Sequence, residues 1–176
     1  MKPIDVNIFD YASVSRATRT LDEYVADLKE KADELCNRLA ELGCTRAKLD
    51  FSNAIYDGVN DVDVHVEPID NGYKVVATGN AVMFIEFGAG VYYNGSGSYP
   101  GELEPGVVGI GEYGQGRGKH DWWFYSGPLG NGGGVASDKY PGLYLTHGNP
   151  PAAAMYHAKQ EVKDAIERIA REVFNS

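Results

Sequence analysis

The stretch Asn80–Gly90, NAVMFIEFGAG, holds one carboxylate, Glu86, in an apolar run that breaks into glycine. Such a group could be a catalytic acid, or a half-buried carboxylate that needs hydrogen-bond partners. A small hydrolase built on it would need a histidine within hydrogen-bond reach. His120, His147 and His157 could meet in space with Asp121 or Glu112, but no pair has the spacing that binds a metal on one element,. Glu102, Glu104 and Glu112 could form a glycosidase pair only at a fixed separation, which a glycine-rich loop does not supply,. No serine sits in G-x-S-x-G, and neither Cys36 nor Cys44 has a neighbour that would activate it,.

Two nucleotide-like patterns fail on context. GIGEYG, Gly109 to Gly114, has the letters of a dinucleotide fingerprint, yet QGRGKHD follows where a helix must open,. GRGK is no phosphate loop either, because Tyr113 stands five before Gly118 and His120 follows Lys119,. We expect no enzymatic activity, no cofactor and no metal.

The aromatic residues carry a different chemistry. Tyr92, Tyr99, Tyr113, Trp122, Trp123 and Tyr125 cluster in one region with Arg117 and Lys119. They could stack on sugars, as in a carbohydrate-binding module, or anchor a protein interface, where Trp, Tyr and Arg dominate binding. The interface is the preferred reading, with Arg117 and Lys119 facing an acidic neighbour.

Helices and short strands must position these groups. TLDEYVADLKEKADELCNRLAELG predicts a helix over 20–43, with Thr20 and Glu23 as a capping box and Gly43 just past its end,. Its stripe of Leu21, Tyr24 or Val25, Leu28, Ala32, Leu35, Leu39 and Leu42 is read as the face packed on the protein's own sheet,. A coiled coil is the lesser alternative, since only three heptads repeat. Eight residues of helix between Cys36 and Cys44 hold them about 12 Å apart, so free thiols are expected,. RAKLDF, 46–51, reads as strand or helical tail.

DVDVHVEPI and NGYKVVATG alternate apolar and polar residues and form a hairpin, with Asn71-Gly72 at the expected turn,. His65 falls on the polar side and is read as solvated, with no second ligand two residues away on its face. Residues 80–87 read as a short helix in which Val82 and Glu86 stack while Met83, Phe84 and Phe87 cover the sheet. Glu86 then fastens the base of the following segment, with glycine-rich backbone or Arg117 as partners, and the glycines after it let the chain turn away at positive φ.

Residues 88–142 hold 17 of the 22 glycines, too many for long regular elements,. Short strands are expected at DWWFY (121–125) and LYLTH (143–147). GNPPAAAMYHAKQEVKDAIERIAREVF then predicts a helix with Pro151 in first position and a stripe of Met155, Val162, Ile166, Ile169 and Val173,. The whole reads as one α+β domain over 1–176: helix 20–43, strands and a short apolar helix over 46–87, insertion 88–142, and strand plus helix over 143–174. A mainly antiparallel sheet is covered on one face by the N- and C-terminal helices.

Composition narrows the functions. Sixteen basic against 25 acidic residues give a net charge of -9, the wrong sign for gripping phosphate backbone, though DNA could pass such a surface without sticking,. No apolar stretch suits a membrane span, and MKPIDVNIFDYAS lacks the apolar core of a secretion signal, so use inside a cell is expected,.

Three motifs in order, ATGNAVMFIEFGAG, GIGEYGQGRGKHDWWFYSG and YLTHGNPPAAAMYHA, resemble the phage tail-component family of the Hong Kong 97 gp-ten type, over roughly Ala77 to Phe174. The family's Glu-Phe-Gly unit matches Glu86, Phe87 and Gly88, followed by Ala89, where threonine is commoner, and Gly90. Its threonine-histidine-glycine unit matches Thr146, His147 and Gly148, with Pro151 and Ala152 after it. The resemblance implies a structural virion protein at the neck of a tailed phage or prophage, made in the bacterial cytoplasm. Its implied partners are copies of itself in a ring, six being the number considered, the head connector, and a tail-terminator or tail-tube protein. DNA would traverse without specific binding, and no membrane is involved.

Overall fold

A computed structural model describes residues 4–92, 109–111, 113, 123–131, 134–146 and 148–175. Its first helix, α1, runs Tyr11–Asn53, about 64 Å at 1.5 Å per residue, and overruns the expected 20–43 at both ends. Asp10 is the N-cap, its carboxylate accepting from the Ala12 N–H at 3.0 Å,. Thr20 instead donates its hydroxyl back to the Arg16 carbonyl, so the apparent capping box lies inside a continuing helix,. Gly43 does not end it either. It is buried in mid-helix, where a β-carbon would sit 2.9 Å from Val162 Cγ2, so its lack of a side chain admits the neighbouring helix. Residues 46–51 are therefore helical. The stop comes where Ala54 turns extended and the Asn60 side-chain amide donates to the Phe51 carbonyl at 2.7 Å.

Strands β1 (Asp63–Ile69) and β2 (Gly72–Thr78) form the expected antiparallel hairpin. Ile69 pairs with Gly72, so the loop is Asp70-Asn71, one residue before the expected turn. Neither loop residue has positive φ, so the mirror-image turn that favours Asn-Gly is not formed,. Gly72 opens β2 at φ 142, passing over Cys36. Val64 is buried, with Val62, Val66, Val75 and Ala77 packed around it, while Asp63, His65 and Glu67 line the other face.

A short helix, α2 (Val82–Phe87), follows, then β3 (Val91–Tyr92), β4 (Gly109–Ile110), β5 (Trp123–Tyr125), β6 (Val135–Ala136) and β7 (Tyr144–Thr146). The class is α+β, and the strands of the described residues pair antiparallel in sheets β1-β2, β3-β4 and β5-β7-β6, with one isolated parallel bridge between Ala89 and Tyr113. The strands expected at 121–125 and 143–147 pair with each other as β5 and β7.

The last helix, α3 (Ala154–Phe174), starts three residues after the expected Pro151. Ala152 and Ala153 are held short of it, their N–H groups donating to the Ile85 and Glu86 carbonyls at 2.8 and 3.1 Å. Ile169 and Val173 are buried as the stripe predicts, but Ile166 is 46% exposed. Ala154, Ala158 and Ala165 take its place, because small residues let α3 lie close to α1 beside Gly43 and Ala47,.

One core joins Cys44, Ala47 and Phe51 of α1 to Val64, Ile85, Ala154 and Ala158; a second joins Leu35, Leu39 and Leu42 to Ala165, Ile169 and Val173. Arg46–Glu161 at 3.7 Å, Asp50–His157 at 2.9 Å and Arg38–Glu172 bridge the two helices. The stripe residues Leu21, Tyr24, Val25 and Leu28, expected to pack on the sheet, are exposed. Both cysteines are free, Cys36 exposed and Cys44 buried. No helix among the described residues is long and apolar enough to cross a membrane.

Candidate functional site

The chain's unusual polar chemistry converges where α2 meets the start of α3. Glu86 is 4% exposed and sits one turn after Val82. Its carboxylate accepts the Met155 N–H at 2.9 Å on Oε2 and the Tyr156 N–H at 3.3 Å on Oε1. α3 has no cap of its own: Ala153 at its N-cap is left-handed (φ 49) and has no side-chain acceptor. Glu86 therefore caps α3 from another element and places negative charge at the positive end of the helix dipole. These partners are not the expected glycine backbone; the other expected partner, Arg117, lies outside the described residues. The core-facing residue of α2 is Ile85, fully buried, while Met83 is exposed and Phe84 stands edge-on to Tyr113 at 4.7 Å.

The five residues from Glu86 to Gly90 also gather backbone from three places. Ala89 exchanges two hydrogen bonds with Asn149, at 3.0 and 2.8 Å. Tyr113 donates its N–H to the Gly88 carbonyl and Gly111 to that of Gly90, at 3.1 and 2.7 Å. The crowding explains the glycines. Gly88 has φ 69, and a β-carbon there would lie 2.7 Å from both the Asn149 oxygen and the Pro151 nitrogen. One on Gly111 would lie 2.0 Å from the Ala89 nitrogen,.

Beside this junction lies a cavity of about 360 Å³ lined by Tyr56, Phe84 and Tyr125, with Asp57, Asp61 and Asn149 among its polar groups. Asp61 is committed to the turn that leads into α2: it accepts the Asn80 and Ala81 N–H groups at 2.8 Å each and the Asn80 side-chain amide at 2.9 Å. Those bonds, from Asn80 first and then Ala81, hold its carboxyl below the usual range,. Burial, then the charges of Tyr125, Asp61 and Asp57, push the Tyr56 hydroxyl up. Asn149 is buried, and its side-chain oxygen accepts the Asp57 N–H at 3.0 Å. Asn131 joins the same wall, accepting the Tyr56 N–H at 2.8 Å and donating to the Ala54 carbonyl.

Of the aromatic cluster, Tyr113 and Tyr125 come to this corner. Tyr92 and Trp123 are placed by backbone pairing alone, opposite Gly109 and Thr146. Tyr99, Lys119 and Trp122, like His147, lie outside the described residues. Phe87 and Gly148 are half-buried, and Gly90 turns at φ 64. Asn149, Asp61, Asn131 and Tyr56 were not singled out by sequence reasoning. Asn149 does lie within the YLTHGNPPAAAMYHA motif, which was the available signal.

On the hairpin's outer face, Asp63 and Glu67 do stand two residues either side of His65, against the sequence reading, and bond its two ring nitrogens at 3.0 Å each. Hydrogen bonds from the ring to Glu67 and then Asp63 raise the His65 pKa, which favours the cation. No group of His, Cys, Asp and Glu among the described residues has the arrangement of a metal site.

Compared with protein-family models, curated proteins and solved structures, the chain finds no match in any of the three.

Proposed function

We propose that this protein is a structural component of a tailed phage or prophage virion, a tail-completion or neck protein joining the head connector to the tail tube as a ring of its own copies. The observation that carries the reading is the junction of the two motifs that resemble the tail-component family. In it, Glu86 and Asn149 spend their hydrogen-bonding capacity on the protein's own backbone. That is the work of a scaffold, which must hold the start and end of the 91–142 segment at one place so that its Tyr and Trp side chains can meet another chain. The net charge of -9 suits a wall past which DNA slides without adhering,.

The experiment is deletion of the gene from the phage or prophage that carries it. Full heads and finished tails that fail to join, seen by electron microscopy, are expected; normal virions sink the proposal. Removing only Gly95 to Val108, which spares β4 and the Gly111 and Tyr113 hydrogen bonds to the junction, should leave the protein folded and still block joining.

The aromatic-walled cavity of Tyr56, Phe84 and Tyr125 favours a second reading, a carbohydrate-binding module,. Saturable binding on a glycan array, abolished by Tyr125→Ala, would select it.

A further inference from the structure

We infer that the N-terminal half of α1 is a pairing surface for a second copy of this chain, running antiparallel and centred near Glu23. Val14, Leu21, Leu28 and Leu35 recur every seventh residue, with Thr18, Val25, Ala32 and Leu39 four positions after each. From Leu35 onward this stripe is covered by α3, through Ile169 and Val173. Before Leu35 the same stripe continues without α3: Val14, Leu21, Tyr24, Val25 and Leu28 are all exposed, while Ser13 and Ala17 beside it are buried, Ser13 accepting the Asn7 N–H. The inference is therefore an extension of an interface that the chain already makes with itself, and it does not rest on the virion proposal.

Three observations select a second α1 as the occupant. The first is length. The last turn of α3 lies beside Leu35 and Arg38, which leaves the apolar stripe from Val14 to Ala32 beyond its reach, while Asp33 on the hairpin side accepts the Tyr73 hydroxyl. A second α1 laid antiparallel about Glu23 covers that stretch and brings its own Tyr11 level with Leu35, where α3 ends. A parallel copy in register would drive its later turns into α3. The second is layering. In this register Leu21 meets Val25 of the second copy, Thr18 meets Leu28, and Val14 meets Ala32, the pairing of alternate heptad positions that antiparallel helices require. The third is charge. Residues 11–20 carry Arg16 and Arg19 and no acid, while residues 27–34 carry four acids against two lysines. Antiparallel pairing sets the basic end of each helix beside the acidic end of the other, within a Debye length at low salt. The exposed arm before the helix, with Ile8 and Phe9, then lies level with Phe174 at the end of the second copy's α3, also exposed.

The contact is isologous, so it makes a pair and stops there. The test is sedimentation of the full chain across a concentration series at low salt. We expect twice the 19.1 kDa chain mass at high concentration, and Leu21→Asp with Leu28→Asp should return the single-chain mass while near-ultraviolet circular dichroism stays unchanged. Reversing Arg16 and Arg19 to Glu should weaken pairing about tenfold, as should reversing Asp27 and Glu30 to Lys, and all four changes together should restore it. A wild-type protein that stays monomeric to the limit of solubility overturns the inference. So does an assembly indifferent to Leu21→Asp and Leu28→Asp, and a fourfold variant no better than the doubles overturns the antiparallel register.

Discussion

Replacing Glu86 tests the structural heart of the junction. The carboxylate is buried and accepts two N–H groups from the first turn of α3, which has no other side-chain cap. Hydrogen bonds to a charged acceptor contribute about 1.5 kcal/mol each, and an anion at a helix N-terminus adds up to about 1 kcal/mol. Glu86→Ala should therefore cost about 3–4 kcal/mol, a large share of the 5–15 kcal/mol that holds a domain of this kind together. Glu86→Gln keeps the shape and one acceptor oxygen but loses the charge, and should cost about half as much. With a urea slope of about 2 kcal/mol per molar, the Ala variant's midpoint should fall by about 1.5–2 M. Amide hydrogen exchange should show lost protection at Met155 and Tyr156. A midpoint shift under about 0.3 M with those two amides still protected would refute the capping argument. A Gln variant as damaged as the Ala variant would place the whole effect on the charge and the second acceptor oxygen, and a Gln variant as stable as wild type would assign the Ala loss to packing.

Other expectations follow from the same geometry. Gly88→Ala must place a β-carbon against immobile backbone at φ 69, and should cost about 3 kcal/mol, read by the same urea titration. Gly43→Leu should cost about 2 kcal/mol by wedging α1 from α3, whereas Gly43→Ala asks only that the Val162 methyl shift and gains helix propensity in return; thermal melts will separate the two,. His65 has its pKa raised by Glu67 and Asp63, so its cation stabilises the fold fully below the ordinary value of 6.5 and the benefit fades as pH rises through the raised one. His65→Ala should thus fall short of wild type in acid and converge with it in alkali, and NMR titration of the ring should show the upward shift directly.

Much of the fold was legible because local physics wrote it. The period-two alternation of Val62, Val64 and Val66 placed a hairpin, and the apolar run at Asn80–Phe87 placed a short helix, since burial on one face leaves that signature,. The boundaries were not legible, and each miss has one cause. Thr20 and Gly43 have the residue types of helix ends, but those types also serve inside helices when a hydroxyl can bond back or a neighbour must come close,. Pro151 could open a helix, yet the Ile85 and Glu86 carbonyls accept the N–H groups of the two residues after it, and Ala153 turns left-handed before α3 begins.

By itself the sequence determined the two long helices, the hairpin and the short apolar helix as element types, the free thiols, the acidic balance and the singularity of Glu86, because composition and periodicity depend on residues near each other in the chain. Only the tertiary structure decided what Glu86 is for. Its partners Met155 and Tyr156 lie about seventy positions away, and hydrogen bonding is a matter of ångströms that no spacing along the chain can report. The same holds for α1: its stripe is uniform in sequence, and the point at which α3 ends is what divides it into a covered half and an open one.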